Sequence, residues 1–330
     1  MPSSYPADAL AAQAVCARSY AYSFLYEPGY PRYNAHMDDS TSYQVYNNIE
    51  ETESTTAAVA ETLGTVLLKD GKPMSTFFFS TSCGITSTEN VWSLKNDVSD
   101  AVFQPVTIVK DNVDAVETMA HEGDNMVFSA EALCDNDTFT SFIKEKDENA
   151  LEAEEQWYRW TYKGKIQAEE IYDKLNQIYK EKPEAVKTKA KNDYVEKKPD
   201  SFQAIQNIRV VKRLPGGVAD ELLIETDSST FLIKSEYYIR KVLADESGTV
   251  IRNDNTKVNG MKLLPSAYFV IEQKKNKEGN VSELILTGGG YGHGVGMSQN
   301  GAKCAAQEGM KWNEILQFFY SNLELVKVEK

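Results

Sequence analysis

A glycine-rich segment near the C-terminus constrains the fold of this chain more than any other feature. Seven of the fourteen residues from 288 to 301 are glycine, and His293 lies among them. Glycine at this density permits positive φ angles and close approach of the backbone to another group. The segment follows a predicted strand and opens a predicted helix, whose free N–H groups suit an anion or a sugar oxygen. We therefore expect a ligand-facing loop here.

Two other interpretations of the glycine segment compete with this one. A nucleotide phosphate loop needs a Gly-Lys-Ser/Thr ending or a following ribose-binding acid, and the sequence has neither. A tight strand-to-helix crossover would leave His293 merely packed, as a lone histidine often is. The number of glycines around His293 favours the ligand-facing loop.

A second segment, from Phe77 to Thr86, reads as a strand that ends in hydroxyl groups and a turn. Such a strand end presents several hydrogen-bonding groups, among them Ser80 and Ser82, to a polar ligand. Cys83 also allows a thiol nucleophile with His293 as its base. Nothing in the sequence places these two residues together, so the thiol mechanism is the weaker hypothesis.

The rest of the chain alternates helix and strand patterns with short links. Ala density and apolar spacing of three and four predict a buried helix over 8–26, and a second helix follows over 52–63. Asp70-Gly71 between two strand-like runs predicts a hairpin. The other predicted helices lie near 129–155, 167–181, 235–244, 297–309 and 311–321, and the predicted strands at 65–69, 74–81, 157–162, 208–213, 221–226, 230–234, 268–274 and 283–287.

This order predicts an α+β fold with a mixed, mostly antiparallel or barrel-like sheet and packed helices. We expect one domain over residues 1–330. It has an N-terminal region of residues 1–103, a variable insertion of residues 104–205, and a C-terminal region of residues 206–330 that carries the glycine segment. The insertion is rich in Glu, Lys, Asp and Asn. We expect it to be helical and peripheral, with a solvated charged face.

Charge and cysteine content exclude several classes of function. With 35 Lys and Arg against 49 Asp and Glu, the formal net charge is −14, so nucleic acid, which needs basic residues, is a poor partner. Cys16, Cys83, Cys134 and Cys304 form no Cys-x-x-Cys pattern, which disfavours a zinc ribbon or a redox dithiol. Cys16 and Cys304 lie among alanines on predicted helices and are expected to be buried.

Several motifs in this order resemble the stage II sporulation protein D family, which includes amidase enhancers. The likeness covers nearly the whole chain and is weakest at 104–205. Its most specific element is the glycine and histidine motif. The matching positions are Met1-Pro2, the helix at 8–20, Gln44-Val45-Tyr46, Ser80–Thr86, Glu89-Asn90-Val91-Trp92, Gly292–Ala302 and Ile315–Tyr320.

The resemblance implies a bacterial cell-wall protein that binds peptide-stripped peptidoglycan glycan strands. It implies cleavage as a lytic transglycosylase giving 1,6-anhydro-muramic ends, or alternatively a non-catalytic module that enhances or recruits a cell-wall amidase. Implied partners are therefore glycan strands and an amidase or other sporulation-complex proteins. Neither a leader nor an apolar run of about 20 residues is present, so we expect an extracytoplasmic chain whose leader or membrane anchor lies outside this sequence.

The family's catalytic acid is the Glu immediately before Met-Pro, so the resemblance places it just upstream of Met1. One acid suffices for this reaction, because the muramic 6-hydroxyl attacks within the same sugar and no water is activated. Glu27, Glu89 and Asp8 were considered as substitutes, and none of them is expected to be catalytic. Ala12 and Cys83 replace a family Lys and Gly.

The resemblance also implies a set of substrate-binding residues. Arg18 would pair with a lactyl carboxylate, Tyr46 would stack on a sugar face, and His293 would fix the glycine loop or contact substrate. The expected hydrogen-bonding residues are Ser80, Ser82, Ser298 and Gln299. The segment 36–43 lacks the Cys of the family's zinc cluster, so we expect no metal and no cofactor.

Overall fold

The structure is a computed structural model that describes residues 1–25, 29–40, 42–95, 101–110 and 128–328. The chain divides into two compact units. One, called here the terminal unit, comprises Met1–Phe79, Lys110–Glu117 and Gly296–Lys330, and the other, the central unit, comprises Ser80–Val109 and Thr118–Val295. The division into 1–103, 104–205 and 206–330 stays a prediction from composition.

The predicted elements recur in the predicted order, but the helix expected near 129–155 is confined to Asn136–Lys144, and the strands at 186–190, 193–195, 249–252, 257–259 and 324–327 were not predicted. The helices are α1 Ala7–Ser23, α2 Glu53–Glu61, α3 Asn136–Lys144, α4 Ala168–Glu181, α5 Glu236–Leu243, α6 Gln299–Gln307 and α7 Trp312–Phe319. The strands are β1 Thr65–Lys69, β2 Lys72–Pro73, β3 Phe78–Phe79, β4 Trp160–Lys165, β5 Val186–Ala190, β6 Asp193–Val195, β7 Ile205–Arg213, β8 Ala219–Thr226, β9 Thr230–Lys234, β10 Thr249–Arg252, β11 Lys257–Asn259, β12 Phe269–Lys275, β13 Val281–Gly288, β14 Met297–Ser298 and β15 Glu324–Lys327.

Helix α1 forms the core of the terminal unit. Its small alanines let neighbouring elements approach closely, and α2, α6, α7 and β1 all pack against it. Cys16 is fully buried there, as predicted, whereas Cys304 on α6 is half-buried. The four cysteines are free thiols in the structure.

The predicted hairpin at Asp70-Gly71 is confirmed. Strands β1 and β2 pair antiparallel around it, and β15 pairs with the other edge of β1. Asp70 and Gly71 have φ of 51° and 73°, which is the sign that a two-residue type I′ turn requires at both positions.

The terminal unit also contains a short parallel pair. Phe78 and Phe79 of β3 lie opposite Met297 and Ser298 of β14. This pairing joins the strand that leads into the Ser/Thr segment to the residues that follow the glycine segment. It is therefore a long-range contact between two of the three sequence motifs.

The central unit contains two open antiparallel sheets of five strands. Their orders are β11-β10-β4-β13-β12 and β6-β5-β9-β8-β7. The two sheets are in contact through Gln273 of β12 and residues of β7. The Gln273 side-chain amide donates to Asn207 Oδ1 at 2.8 Å, and its Oε1 accepts the Ile208 N–H at 2.9 Å. The α+β class with mostly antiparallel sheets is thus confirmed.

The peripheral position expected for segment 104–205 is wrong for its strand β4. That strand is the middle strand of its sheet, between β10 and β13. Its alternating pattern buries Trp160 and Tyr162 almost completely. A strand was predicted at 157–162, but the high charge of the segment suggested a peripheral position for it; only alternate residues of a strand need to face the core.

Candidate functional site

The glycine segment and the Ser/Thr segment lie side by side in the central unit. The Thr81 N–H donates to the Tyr291 carbonyl at 3.2 Å, and the Tyr291 N–H donates back to the Thr81 carbonyl at 2.7 Å. A few residues further on, the Ser87 N–H donates to the Gly294 carbonyl at 2.7 Å. Backbone bonds therefore hold the two motifs in register without any side chain.

The His293 ring is held against its own loop. Its Nδ1 accepts the Val295 N–H at 3.1 Å, which assigns the neutral ring proton to Nε2. The Trp92 ring lies edge-on to it, with 5.1 Å between the ring centroids. These contacts suit the predicted loop-fixing role of His293, while contact with substrate stays a prediction.

Gly294 has no room for a side chain. Its φ is +81°, and a Cβ built there would collide with the Tyr268 hydroxyl. Since positive φ also disfavours other residues, glycine is required at this position for both reasons. The high glycine content is thus explained in part by packing against Tyr268.

A stacked group of side chains, which we call the Trp157 stack, flanks the glycine segment. It consists of Trp157, Tyr291 and Arg252. The Trp157 and Tyr291 ring centroids are 4.6 Å apart, and the Arg252 guanidinium carbon lies 5.2 Å from the Trp157 centroid. Tyr291 is 37% exposed. Sequence reasoning missed this group, because its members come from a loop, a strand end and the glycine segment.

Two of the predicted hydrogen-bonding residues differ in accessibility. Ser80 is half-buried, and its hydroxyl lies 3.2 Å from Thr81 Oγ1. Ser82 is buried and bound to Glu152, a carboxylate with no exposed surface. Glu152 accepts the Ser82 N–H at 3.0 Å and also the Ser82 hydroxyl proton.

Glu152 was not singled out from the sequence. It lies in a Glu-rich stretch that reads as solvated surface. The one local signal is that Leu151 and Ala153, its direct neighbours, are apolar and buried. A buried carboxylate that accepts two bonds from one turn fixes the shape of that turn.

The thiol mechanism finds no support at Cys83. Burial raises the pKa of the Cys83 thiol to about 12, partly opposed by the nearby Arg159 guanidinium. A nucleophilic cysteine needs a lowered pKa, since the thiolate is the reactive form. The Cys83 side chain is therefore a packed apolar group.

The carboxylates considered as substitute acids hold backbone groups. Glu89 accepts the N–H groups of Val102 at 2.6 Å and Phe103 at 3.1 Å. Asp8 accepts the Trp312 N–H at 3.0 Å. Glu27 lies outside the described residues. Each described carboxylate thus has a structural partner.

In the terminal unit, Arg18 caps helix α2. Its guanidinium donates to the carbonyls of Thr62 at 2.8 Å and Thr65 at 2.7 Å, which satisfies groups that a helix end leaves unpaired. Burial lowers the pKa of Arg18. The predicted contact of Arg18 with a lactyl carboxylate stays a prediction.

The other predicted residues of the terminal unit are Tyr46, Ser298 and Gln299. Tyr46 is 66% exposed. The Ser298 hydroxyl is the N-cap of α6 and accepts the Gly301 N–H at 3.1 Å, while Gln299 Nε2 donates to Gln13 Oε1 at 3.0 Å. These bonds give Ser298 and Gln299 structural roles, and their substrate contacts stay predictions.

Metal and membrane sites were also sought in the described ranges. In those ranges no group of three or more His, Cys, Asp and Glu side chains is placed to hold a metal ion. No helix among the same residues has both the length and the apolar character to cross a bilayer.

Comparisons with known proteins support the resemblance drawn from the motifs. A family model described as stage II sporulation protein matches residues 1–68. A second, described as domain of unknown function (DUF8618), matches residues 86–296.

Two curated relatives support the same resemblance. An amidase enhancer of Bacillus subtilis is 24% identical over 329 residues, covering 98% of this chain and 39% of the relative. A stage II sporulation protein D of Bacillus amyloliquefaciens is 32% identical over 108 residues, covering 28% of this chain and 31% of the relative. The chain thus spans about two fifths or less of the length of these curated relatives. The chain is thus similar to the stage II sporulation protein D and amidase enhancer family, and through its residues 86–296 it belongs to the family described as domain of unknown function (DUF8618).

Proposed function

We propose that this chain binds peptidoglycan glycan strands and enhances a cell-wall amidase without cleaving the strands itself. The amidase half of the proposal is supported by the relative named amidase enhancer, which is similar along 98% of this chain. The observation that carries the glycan half is the Trp157 stack. The proposal places the protein outside the cytoplasmic membrane, where peptidoglycan lies.

The Trp157 stack has the features of a carbohydrate-binding surface. A sugar ring presents apolar C–H faces and polar edges, so it pairs well with an aromatic face that has polar groups beside it. The exposed Tyr291 ring supplies such a face, and Thr81, held to Tyr291 by two backbone bonds, follows the half-buried Ser80. Tyr and Trp rings also lose little conformational freedom on binding, because each has two side-chain torsions.

Charge adds selectivity to this surface. A peptide-stripped strand carries free lactyl carboxylates, and a chain of net charge −14 repels them over most of its surface. The Arg252 guanidinium lies over the Trp157 ring, with Nε bonded to Thr256 Oγ1 and Nη1 to Gln156 Oε1, both at 2.7 Å, and the Asp254 carboxylate, 3.9 Å from Nε, offsets part of its charge. These bonds hold the guanidinium in place, so it needs no ordering when an anionic sugar binds.

Glycan binding is tested by co-sedimentation with peptidoglycan that an amidase has stripped of stem peptides. We expect Tyr291→Ala to bind at least about tenfold more weakly, the loss typical of an aromatic anchor. Tyr237→Ala is the matched control, because Tyr237 is an equally exposed tyrosine in the same unit, 43% against 37%. Equal binding by wild type and Tyr291→Ala would remove the stack from the site.

Amidase enhancement is tested separately, on intact peptidoglycan. The rate at which the source bacterium's wall amidase releases stem peptides is measured with and without the chain. We expect a faster rate with wild type and a smaller increase with Tyr291→Ala, since the chain would concentrate the enzyme on its substrate. An unchanged rate with wild type would contradict the amidase half.

A lytic transglycosylase is the second candidate function. The match of Met1-Pro2 to the family's Met-Pro favours it, and Met1 packs against the buried residues Leu10, Ala11 and Ala58. The test compares two extended chains that carry Glu or Gln directly before Met1, both incubated with stripped peptidoglycan. 1,6-Anhydro-muramic products from the Glu chain alone, detected by mass spectrometry, would establish this candidate and replace the non-cleaving proposal.

A further inference from the structure

Helix α2 leaves an apolar stripe in contact with solvent. Ala58 is the buried residue among its nine. On another face, Thr56, Val59 and Ala60 are exposed, and Leu63, two residues beyond the end of α2, continues their spacing of i, i+3, i+4 and i+7; Val59 is exposed by 48% and Leu63 by 57%. In a globular protein such a stripe normally packs on the core. Here the core packing of α2 uses a different face.

Other segments of the terminal unit that pack on α1 also expose apolar side chains. Tyr22 of α1 and the loop residues Tyr46 and Ile49 are also exposed, Ile49 by 78%. Helix α1 holds both neighbours through adjacent residues, since Ala17 accepts from Gln44 at 3.2 Å and Arg18 binds the end of α2. We call Tyr22, Tyr46, Ile49, Val59 and Leu63 the α2 band. Several large apolar side chains exposed together are typical of an interaction surface.

Along residues 33–68, which carry most of the α2 band, the charge has one sign, while the neighbouring Arg18 guanidinium donates to the carbonyls of Thr62 and Thr65. Between Arg32 and Lys69 the sequence contains no Lys or Arg. The acidic residues of this stretch are Asp38, Asp39, Glu50, Glu51, Glu53 and Glu61. Within the described residues, the structure shows no ion pair to the four glutamates. Their carboxylates are thus available to a basic partner.

The negative charge of residues 33–68 favours one of three possible binding partners of the α2 band. A second copy of the chain would bring the same carboxylates face to face, and like charges across an interface are unfavourable. An anionic lipid surface is repelled for the same reason. A helix with an apolar stripe and Lys or Arg on its flanks complements both the spacing and the charge, in the manner of helix–helix packing.

We propose that the α2 band is the docking surface for an amphipathic helix with basic flanks on a partner protein. The inference rests on the amidase half of the proposed function, because the wall amidase is the partner tested. Beyond the proposed function, it names the α2 band as the region of this chain that binds the amidase, and an apolar stripe with basic flanks as the surface that the amidase presents. The proposed glycan surface, the Trp157 stack, lies in the central unit, so it is tested separately from the α2 band, although the family resemblance also predicts that Tyr46 of the band stacks on a sugar.

The test measures the affinity of the full chain for the source bacterium's cell-wall amidase by biolayer interferometry. We expect the double variant Val59→Ser/Leu63→Ser to bind at least about tenfold more weakly than wild type, since two apolar contacts at the centre of the surface are lost. Val195→Ser is the control, because Val195 is an apolar residue of β6 with 41% exposure in the central unit. Circular dichroism and co-sedimentation with stripped peptidoglycan confirm that the double variant folds and binds glycan.

A charge variant tests the second half of the argument. Glu53→Gln/Glu61→Gln removes two carboxylates beside the stripe and leaves its apolar residues intact. We expect weaker binding to the amidase and a smaller dependence of the affinity on salt, because salt screens exposed charge pairs. The same salt dependence in this variant and in wild type would contradict the basic partner.

The outcomes separate this inference from the proposed function. Binding of the amidase equally well to wild type and to Val59→Ser/Leu63→Ser would overturn the docking surface alone. No binding of the amidase to wild type would overturn the amidase half and the docking surface together, with glycan binding unaffected. A wild-type dimer in sedimentation velocity that the double variant abolishes would assign the band to a second copy instead.

Discussion

Glu152 and Ser82 form a fully buried pair, in which the carboxylate accepts both the Ser82 N–H and the Ser82 hydroxyl proton. The hydroxyl oxygen in turn accepts the Gly84 N–H at 3.0 Å. This chain of bonds shapes the turn directly after Ser80 and Thr81, which the central unit holds against Tyr291. A residue that the sequence hides among surface glutamates thus supports the candidate glycan surface.

Replacement of Glu152 is expected to destabilise the protein. Glu152→Ala leaves the buried Ser82 N–H and hydroxyl without an acceptor, at a cost of roughly 2 kcal/mol or more in the free energy of unfolding. Glu152→Gln keeps one acceptor oxygen and is expected to lose less. Urea unfolding of the three proteins measures the difference, and equal stability of the Ala and Gln variants would contradict the hydrogen-bond account.

Gly294→Ala is expected to be costly because of Tyr268. The residue has φ of +81° and no room for a Cβ, so strain of about 1–3 kcal/mol adds to a steric clash. Gly279→Ala is the matched control, since Gly279 has φ of +83° and open space around it. Thermal unfolding should show the larger loss for Gly294→Ala. The same loss in both variants would show that backbone conformation alone requires the glycine.

The four cysteines are expected to differ in how fast their thiols are alkylated. Burial raises the pKa of both Cys16 and Cys83 to about 12, so at pH 8 only about one thiol in ten thousand is ionised. Half-buried Cys134 and Cys304 are expected to be alkylated first by iodoacetamide in the native protein. Peptide mass spectrometry after timed labelling checks this order, and early labelling of Cys83 would revive the thiol mechanism.

The same two thiols predict a loss of stability at alkaline pH. Their pKa in the folded chain lies above the value of 9.0 expected for an exposed thiol. The stabilising contribution is therefore complete below pH 9 and is lost as the pH rises from there toward 12, because the unfolded thiols ionise first. Urea midpoints between pH 8 and pH 10.5 should fall more steeply for wild type than for Cys16→Ala/Cys83→Ala. Parallel curves would contradict this contribution.

Arg18→Ala separates a structural from a binding role. Loss of the bonds to Thr62 and Thr65 is expected to destabilise the chain by roughly 1–3 kcal/mol, since the carbonyl that ends α2 and the first carbonyl of β1 lose their donor. The lactyl-carboxylate role predicted from the family also requires weaker binding to stripped peptidoglycan. Unchanged affinity of the folded variant would rule that role out.

Local sequence patterns predicted most of the secondary structure. The alanine spacing of 8–26 gave α1, and Asp70-Gly71 gave a hairpin whose two φ angles are positive. The strand-like run 230–234 gave β9 with the predicted bounds. These signals act over a few residues and depend on backbone preference, so the chain carries them wherever it folds.

The predicted bounds of two strands were partly wrong, because the ends of a strand depend on the strands that pair with it. The sequence predicts one long strand over 74–81, whereas the structure has the short strand Phe78–Phe79, which pairs with the two residues of β14, and an isolated bridge from Thr81 to Tyr291. Residues 157–162 were expected to be a strand, and β4 begins instead at Trp160, where its two neighbours β10 and β13 begin to pair with it.

The sequence by itself determined the family resemblance, the α+β class and the position of the three motifs along the chain, because each depends on residues that are close in sequence. Only the tertiary structure decided that Glu152 lies under Ser82, that β4 is the centre of a sheet, and that Trp157 stacks on Tyr291. These relationships join residues 70 to more than 120 positions apart. No local pattern specifies such pairs, since burial and packing select them from many alternatives as the whole chain folds.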